Sequence, residues 1–309
     1  MNLKRRTLIL LSMFVLSIIV GSVCFFVHQK RPMVSVVMPT YNRADLLPLS
    51  IESILSQTYS DFEFIIVDDG STDESWRLLK SYAQKDKRIR LYKNKKNRGI
   101  SFSRNRGNDA ARGKYIMLMD SDDISLPKRM EKHVAFMESH PDVVLSTSLL
   151  KSMQGDIDLK APMAAQEPGL IFESVIGHGQ WFLRRDFINQ NNLKYDESQM
   201  AAEDYDFVRQ IAVHRGKIGY IDEVLYLYRS HQTNSPEYYR QQKIKAQMNS
   251  FRFLLNYGVP EEMILRNNMC EIFEFVAVAN KTKKYLNQAE LDKVVGRCRQ
   301  LSASQNNNN

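Results

Sequence analysis

Four short apolar runs recur between residues 34 and 119, separated by segments of a different period, and this recurrence constrains the fold more than any other feature. Val34–Met38 (VSVVM), Phe62–Val67 (FEFIIV) and Lys114–Met119 (KYIMLM) are nearly continuous in apolar residues, and Arg88–Lys93 alternates. Runs of this length, rich in β-branched and aromatic residues, read as strands. Between them Leu47, Ile51, Ile54 and Leu55 fall at helical spacing, as do Trp76 and Leu79 behind the capping cluster Ser71-Thr72-Asp73. Residues 101–112, rich in Ala, Ser, Arg and Asn and free of proline, fit a third helix. Apolar runs too continuous for a one-sided sheet, alternating with helices, predict a mostly parallel sheet covered on both faces. The fold class is α/β.

Further along, a helix is expected from Pro127 to about Glu138 and a strand near Val143–Ser146. Residues 150–180 read as irregular because of Gly155, Pro162, Pro168, Gly169, Gly177 and Gly179. Trp181–Leu183 reads as a strand, Glu203–Arg215 as a helix ended by Gly216, and Lys217–Tyr228 as another strand. From Glu237 the pattern is helical in pieces, broken at Gly258-Val259-Pro260, and ends in a disordered asparagine run, Asn306–Asn309. This last region fits either a membrane-facing amphipathic tail or helices packed on the rest of the chain. No internal repeat is visible.

The amino-terminal stretch Leu8–Val27 carries no charge. At 1.5 Å rise per residue it reaches about 30 Å, the thickness of a bilayer's hydrocarbon core. A cleaved signal peptide would have a shorter apolar region and a small-residue cleavage site; a buried helix of a globular domain would show a polar face. A single membrane anchor is the expectation, giving an anchor at 1–31, a globular domain at 32–236 and a helical carboxyl-terminal region at 237–309. Lys4, Arg5 and Arg6 precede the apolar run, and Lys30 and Arg31 follow it, a weak bias towards an amino terminus on the cytoplasmic side.

The net charge of +8 raises the question of nucleic acid. Yet the excess lies at the ends: residues 32–239 hold 27 basic and 29 acidic residues. A membrane surface accounts for basic ends better than a nucleic acid does. Three cysteines, Cys24, Cys270 and Cys298, make no disulfide framework and no zinc pattern. Cys270 and Cys298 fit a reducing compartment, and whether they pair is left open.

Two acidic motifs stand at predicted strand ends, where open α/β sheets bind ligands. Asp68-Asp69-Gly70-Ser71 would suit a ribose or base edge, or equally a tight turn and helix cap. Asp120-Ser121-Asp122-Asp123 puts three carboxylates within four residues, which repel unless a cation or basic groups compensate. A hard divalent ion such as Mn²⁺ or Mg²⁺ is the functional reading; a solvated turn before Pro127 is the alternative.

Six segments in order, VSVVMPTYNR (34–43), IIVDDGSTDES (65–75), NRGISFSRNRG (97–107), YIMLMDSDD (115–123), AEDYDF (202–207) and YRSHQTNS (228–235), closely resemble the family 2 glycosyltransferases. The resemblance implies a GT-A fold, in which a nucleotide-binding sheet is fused to an acceptor-binding half. It implies transfer of a sugar, with inversion, from a nucleotide diphosphate donor, with Mn²⁺ or Mg²⁺ as cofactor. Pro39, Thr40 and Tyr41 would line the base pocket and Asp69 would bond the base. Asp120 would contact the ribose, Asp122 would hold the metal, and Arg104 would face the nucleotide. Glu203-Asp204 matches the acidic pair containing the base, with Asp204 the usual choice. Arg229 and His231 would lie in a loop over the diphosphate or metal, or simply on the surface.

The chemistry agrees. An inverting displacement needs a carboxylate to take the acceptor's proton and a counter-charge for the leaving diphosphate. Asp204 at a helix start would be kept anionic by the helix dipole; an acidic first helical turn is the structural alternative. Trp181 and His178 are candidates for the acceptor site, although core burial suits Trp181 better. The expected partners are a nucleotide sugar, probed first as a UDP-sugar, a glycan or glycolipid acceptor and the membrane, in surface polysaccharide or lipopolysaccharide synthesis. A catalytically inactive donor-binding scaffold is the rival, and the intact Asp120, Asp122 and Asp204 argue against it. A nucleotidyltransferase would need a glycine-rich triphosphate loop, which MPTYNR is not. Cytosolic synthesis of nucleotide sugars favours a catalytic domain facing the cytoplasm; a lumenal domain in a secretory compartment is the other orientation. Sugar, acceptor, linkage and oligomeric state are not legible.

Overall fold

A strand that is apolar along its whole length needs a covering layer on each face, and the computed structural model provides both. It describes residues 31–153, 158–159, 178–198 and 203–229. The expected anchor at Leu8–Val27, His231 and the region 237–309 lie outside the described residues. Among the described residues no helix is long and apolar enough to cross a membrane.

The first half runs β1 (Val34–Thr40), α1 (Leu47–Leu55), β2 (Phe62–Asp68), α2 (Ser75–Lys85), β3 (Ile89–Lys93), α3 (Ile100–Ala110) and β4 (Tyr115–Leu118). β1 pairs in parallel with β2 and with β4, and β2 with β3. Side chains alternate between two cores. Val34, Val36 and Met38 of β1 join Phe64 and Ile66 of β2 and Leu47, Ile51 and Ile54 of α1 on one face. Val37, Ile65 and Val67 join Ile116 and Leu118 of β4 on the other. Each such buried side chain contributes about 1.5–3 kcal/mol, so the register is set by both faces at once.

Helix α3 lies directly on β1 because residue 107 is glycine. A Cβ added at Gly107 would stand 2.4 Å from Val37 Cγ1. Alanine favours a helix by about 1 kcal/mol over glycine, but overpacking a filled core costs about 1–3 kcal/mol. We expect Gly107→Ala to lower stability by about 1 kcal/mol, measured as a shift in denaturation midpoint. An unchanged or higher midpoint would show that α3 shifts off the sheet without cost.

The second half adds β5 (Ile124–Ser125), α4 (Arg129–Ser139), β6 (Val143–Ser152), β7 (Asp158–Leu159), a single 3-10 turn at His178–Gln180, β8 (Phe182–Arg184), α5 (Arg185–Gln190), α6 (Glu203–Val213) and β9 (Lys217–Tyr228). The strand order is β3-β2-β1-β4-β8-β6-β9-β5, with β7 attached to β6. The expectation of a mostly parallel sheet holds for the first half and needs correction in the second. β8 is antiparallel to both β4 and β6, and β5 is antiparallel to β9, while β6 and β9 run parallel. The chain enters β8 from the 3-10 turn, where Leu118 N–H donates to Trp181 O at 2.9 Å.

Residues 150–159, expected to be irregular, contain the end of β6 and its partner β7. The misreading has a physical source: the middle of β6 is Ser146-Thr147-Ser148, polar by composition yet fully buried. Trp181 is fully buried in the core, as its size suggested.

Candidate active site

The carboxyl ends of β1, β2 and β4 meet at one edge of the sheet, and the loops that follow them are fastened to each other. Asp68 ends β2 and accepts Ser71 N–H through Oδ1 at 2.8 Å, closing the turn. Gly70, at φ +78°, permits that turn and lies so close to the next loop that a Cβ would meet Lys96 C at 2.6 Å. Asn42, after β1, donates its N–H to Ser71 Oγ and accepts Thr72 N–H on Oδ1, both at 2.9 Å. The Ser71-Thr72-Asp73 cluster therefore joins two loops: Asp73 accepts Ala44 N–H and Ser75 N–H as well.

These loops surround a cavity of about 550 Å³. Pro39, Thr40 and Tyr41 line it from β1, Asp69 from β2, Arg104 from α3, Asp120 and Asp122 from the loop after β4, and Glu203 from the start of α6. Eight residues expected to bind the donor, to hold the metal or to act in catalysis are thus brought to one place. Thr40 Oγ1 is buried without a hydrogen-bond partner, a polar atom at the wall with unused capacity.

The structure refines several assignments. Asp69 lines the cavity, but its carboxylate is already occupied by Asn94 Nδ2 at 2.6 Å, Arg98 N–H at 3.0 Å and Gly99 N–H at 2.8 Å. It holds the 94–99 loop whatever else it contacts. Arg104, expected to face the nucleotide, donates Nη1–H to Glu203 Oε1 at 2.6 Å and Nη2–H to Asp120 Oδ1 at 3.3 Å; its buried Nε has no partner. Burial alone would lower the Arg104 pKa, yet the charges of Asp120 and Glu203 raise it above its usual value. Its charge is therefore permanent.

Each of the three clustered carboxylates has a partner, although their mutual repulsion persists. Asp120 meets Arg104, and Asp122 lies 3.6 Å from Arg43 Nε. Asp123 accepts Tyr226 O–H at 2.7 Å and Arg229 N–H at 2.8 Å. Burial, then the charge of Asp120, pushes Asp123 up to about 8. Burial also raises Asp120. Asp123 has no individual role in the sequence reading beyond its place in the acidic cluster, and Tyr226 has none. The alternation in β9 predicts a strand, but no pattern reveals that one of its hydroxyls reaches the acidic turn.

Arg229 is placed by these same contacts. Its backbone serves Asp123, and its Nε–H donates to Asp122 O at 2.9 Å, so what it contacts directly is the acidic turn. Asp204 does not line the cavity; Oδ1 accepts Tyr205 N–H at 2.8 Å. Burial first, and then the Glu203 charge, raise its pKa, acting against the helix-dipole effect expected there. His178 is buried against Trp181, with Nε2 2.7 Å from Tyr195 Oη.

Among the described residues no group of three or more His, Cys, Asp or Glu forms a closed metal cage. The donor set fits a hard cation held by one or two carboxylates plus substrate phosphates. Asp122 faces the cavity, and burial raises the pKa of Asp120 beside it.

The comparisons with known proteins agree with this geometry. The family model described as "Glycosyl transferase family 2" matches residues 35–214. An uncharacterized glycosyltransferase of Haemophilus influenzae is 30% identical over 277 residues, covering 83% of this chain and 84% of its own length. Among solved structures, S. aureus TarS in complex with UDP-GlcNAc matches with a TM-score of 0.61 at 18% identity, covering 86% of this chain and 71% of that one. The mannosyltransferase PcManGT of Pyrobaculum calidifontis, in complex with GDP-Man and Mn²⁺, matches with a TM-score of 0.60 at 16% identity, covering 89% and 81%. At such identities the two structures establish the fold, an α/β GT-A type sheet. The chain belongs to glycosyl transferase family 2 and is a glycosyltransferase.

Proposed function

We propose that this enzyme moves a sugar, with inversion and with a divalent cation, from a nucleotide diphosphate donor to a glycan or glycolipid acceptor in surface polysaccharide or lipopolysaccharide synthesis. The observation that carries the reading is the convergence of Asp69, Arg104, Asp120, Asp122 and Glu203 on one cavity at the strand ends. Its volume suits a nucleotide sugar. Tyr41, 40% exposed, offers a ring face to a base, and the unpartnered Thr40 Oγ1 offers a polar contact. Asp122, with Asp120 beside it, would hold Mn²⁺ or Mg²⁺. Bound there, the ion would neutralise charge growing on the leaving diphosphate.

The acceptor hydroxyl attacks the anomeric carbon from the face opposite the diphosphate. Its oxygen forms the new glycosidic bond as the carbon–oxygen bond to the diphosphate breaks, and its proton passes to a carboxylate. Glu203 is a poor choice, since Arg104 Nη1 already donates to its Oε1 at 2.6 Å. Asp204, raised by burial and by Glu203, is the better base. A panel of UDP- and GDP-sugars assayed with Mn²⁺, with Mg²⁺ and with chelator tests the reading. Turnover of none of them, or turnover unaffected by chelator, would overturn it.

We further propose a single-pass anchor at Leu8–Val27 with the catalytic domain on the cytoplasmic side, where nucleotide sugars are made. Lys30 and Arg31, directly after the span, are basic residues of the kind that favour the cytoplasmic side. Protease added to sealed, right-side-out cells is expected to leave residues 32–309 intact. Digestion from outside would reverse the orientation.

A further inference from the structure

Helix α3 grips the second half of the molecule through two consecutive side chains. Asn105 donates Nδ2–H to Tyr195 O at 2.8 Å and accepts Tyr195 N–H at 2.9 Å. Arg104, 4% exposed, spans from Asp120 at the end of β4 to Glu203 in the first turn of α6. Its guanidinium also lies 5.5 Å from the Tyr195 ring centroid. The rest of α6 is anchored without Arg104: Tyr205, Phe207, Val208 and Ile211 are buried, and Gln210 Nε2 donates to Lys194 O at 2.8 Å. In α6 the arginine's contact is with Glu203 at the first position, directly before Asp204.

We infer that Arg104 is a positioning residue that sets the base-bearing turn of α6 against the donor site through Glu203 and Asp120, and is not itself a donor ligand. The inference rests on Asp204 being the base. Both terminal nitrogens are committed to carboxylates, and each carboxylate belongs to a different half of the site. A guanidinium fork suits this double contact, while a lysine ammonium would serve one carboxylate and leave the other in a buried setting. A base displaced by about 1 Å loses on the order of 10²-fold in rate, whereas a cavity that keeps Asp69, Asp122 and the β1 end keeps its nucleotide.

The test uses the full chain with Arg104→Gln, Arg104→Lys, Glu203→Gln and the Arg104→Gln/Glu203→Gln double variant. UDP and GDP, each with Mn²⁺, are titrated by calorimetry, and transfer is measured with the donor the panel identifies. We expect nucleotide affinity within about threefold of the parent and kcat lower by on the order of 10²-fold in Arg104→Gln and Arg104→Lys. The double variant should be no slower than its slower parent, because both changes break one link. A tenfold loss of nucleotide affinity in Arg104→Gln with none in Glu203→Gln would make Arg104 a diphosphate ligand and overturn the inference. Multiplying losses in the double variant would also overturn it. Should Arg104→Gln fail to fold by circular dichroism, Arg104→Lys and Glu203→Gln carry the same comparison. Near-parental turnover in Asp204→Asn would remove the base assignment separately, without altering the affinity pattern of the Arg104 variants.

Discussion

Replacing Asp122 by alanine is expected to abolish turnover while leaving the fold in place. The side chain is mostly buried at the cavity wall, and its ion-pair partner Arg43 is 42% exposed at 3.6 Å. A pair at that distance with one partner exposed to solvent contributes about 1 kcal/mol or less to stability, so the denaturation midpoint should move little. The loss in rate is of another order. A cation on a leaving diphosphate supplies several kcal/mol of transition-state stabilisation, and each 1.36 kcal/mol is about tenfold in rate. The expected fall is therefore on the order of 10³-fold or more. Mn²⁺ binding, followed by electron paramagnetic resonance in the presence of nucleotide, should weaken in parallel. Near-normal activity of the variant in chelator would end the metal assignment. Retained Mn²⁺ affinity would transfer the ligand role to Asp120.

The first half of the fold was readable because both faces of each strand are paid for by the same physical cause. Val36 and Val37 face opposite cores, so β1 shows as an unbroken apolar run rather than an alternation. The second half was less readable because its strands lack that signal. β8 has three residues and β5 two, and the centre of β6 is Ser146-Thr147-Ser148. What holds β5 is antiparallel pairing with β9, a partner about 100 residues away, and no local pattern encodes such a pairing. The helix α5, six residues long, is below the length at which helical spacing can be counted.

At the site, sequence gave the residue types and the structure gave their neighbours. Asp122 and Glu203 stand at the cavity as the motif order implied. Nothing in the sequence indicated that Asp69 already holds Asn94, Arg98 and Gly99, because a carboxylate's acceptors are filled by loops distant in the chain. Asp123 shows the same limit. Adjacent to Asp122 in sequence, it is held by Tyr226 and Arg229, contacts separated from it by more than 100 residues.

Asp204→Asn is expected to cut transfer by on the order of 10²–10⁴, the usual worth of a general base, with donor affinity little changed. Asparagine keeps an oxygen that can accept Tyr205 N–H, so the first turn of α6 retains its local hydrogen bond. It removes only the capacity to take a proton. Donor affinity should persist because Asp204 does not line the cavity. The pH dependence adds an independent check. A base works when deprotonated, so kcat falls as pH drops through its pKa. For Asp204 that pKa is raised, by burial and then by the Glu203 charge, so the acid limb should lie above the ordinary aspartate value of about 3.9. In Asp204→Asn this limb should vanish along with the rate. If the variant loses donor binding instead, Asp204 holds the site together and Glu203, freed from Arg104 during turnover, becomes the candidate base. A profile that keeps its acid limb at a reduced rate would point to the same reassignment.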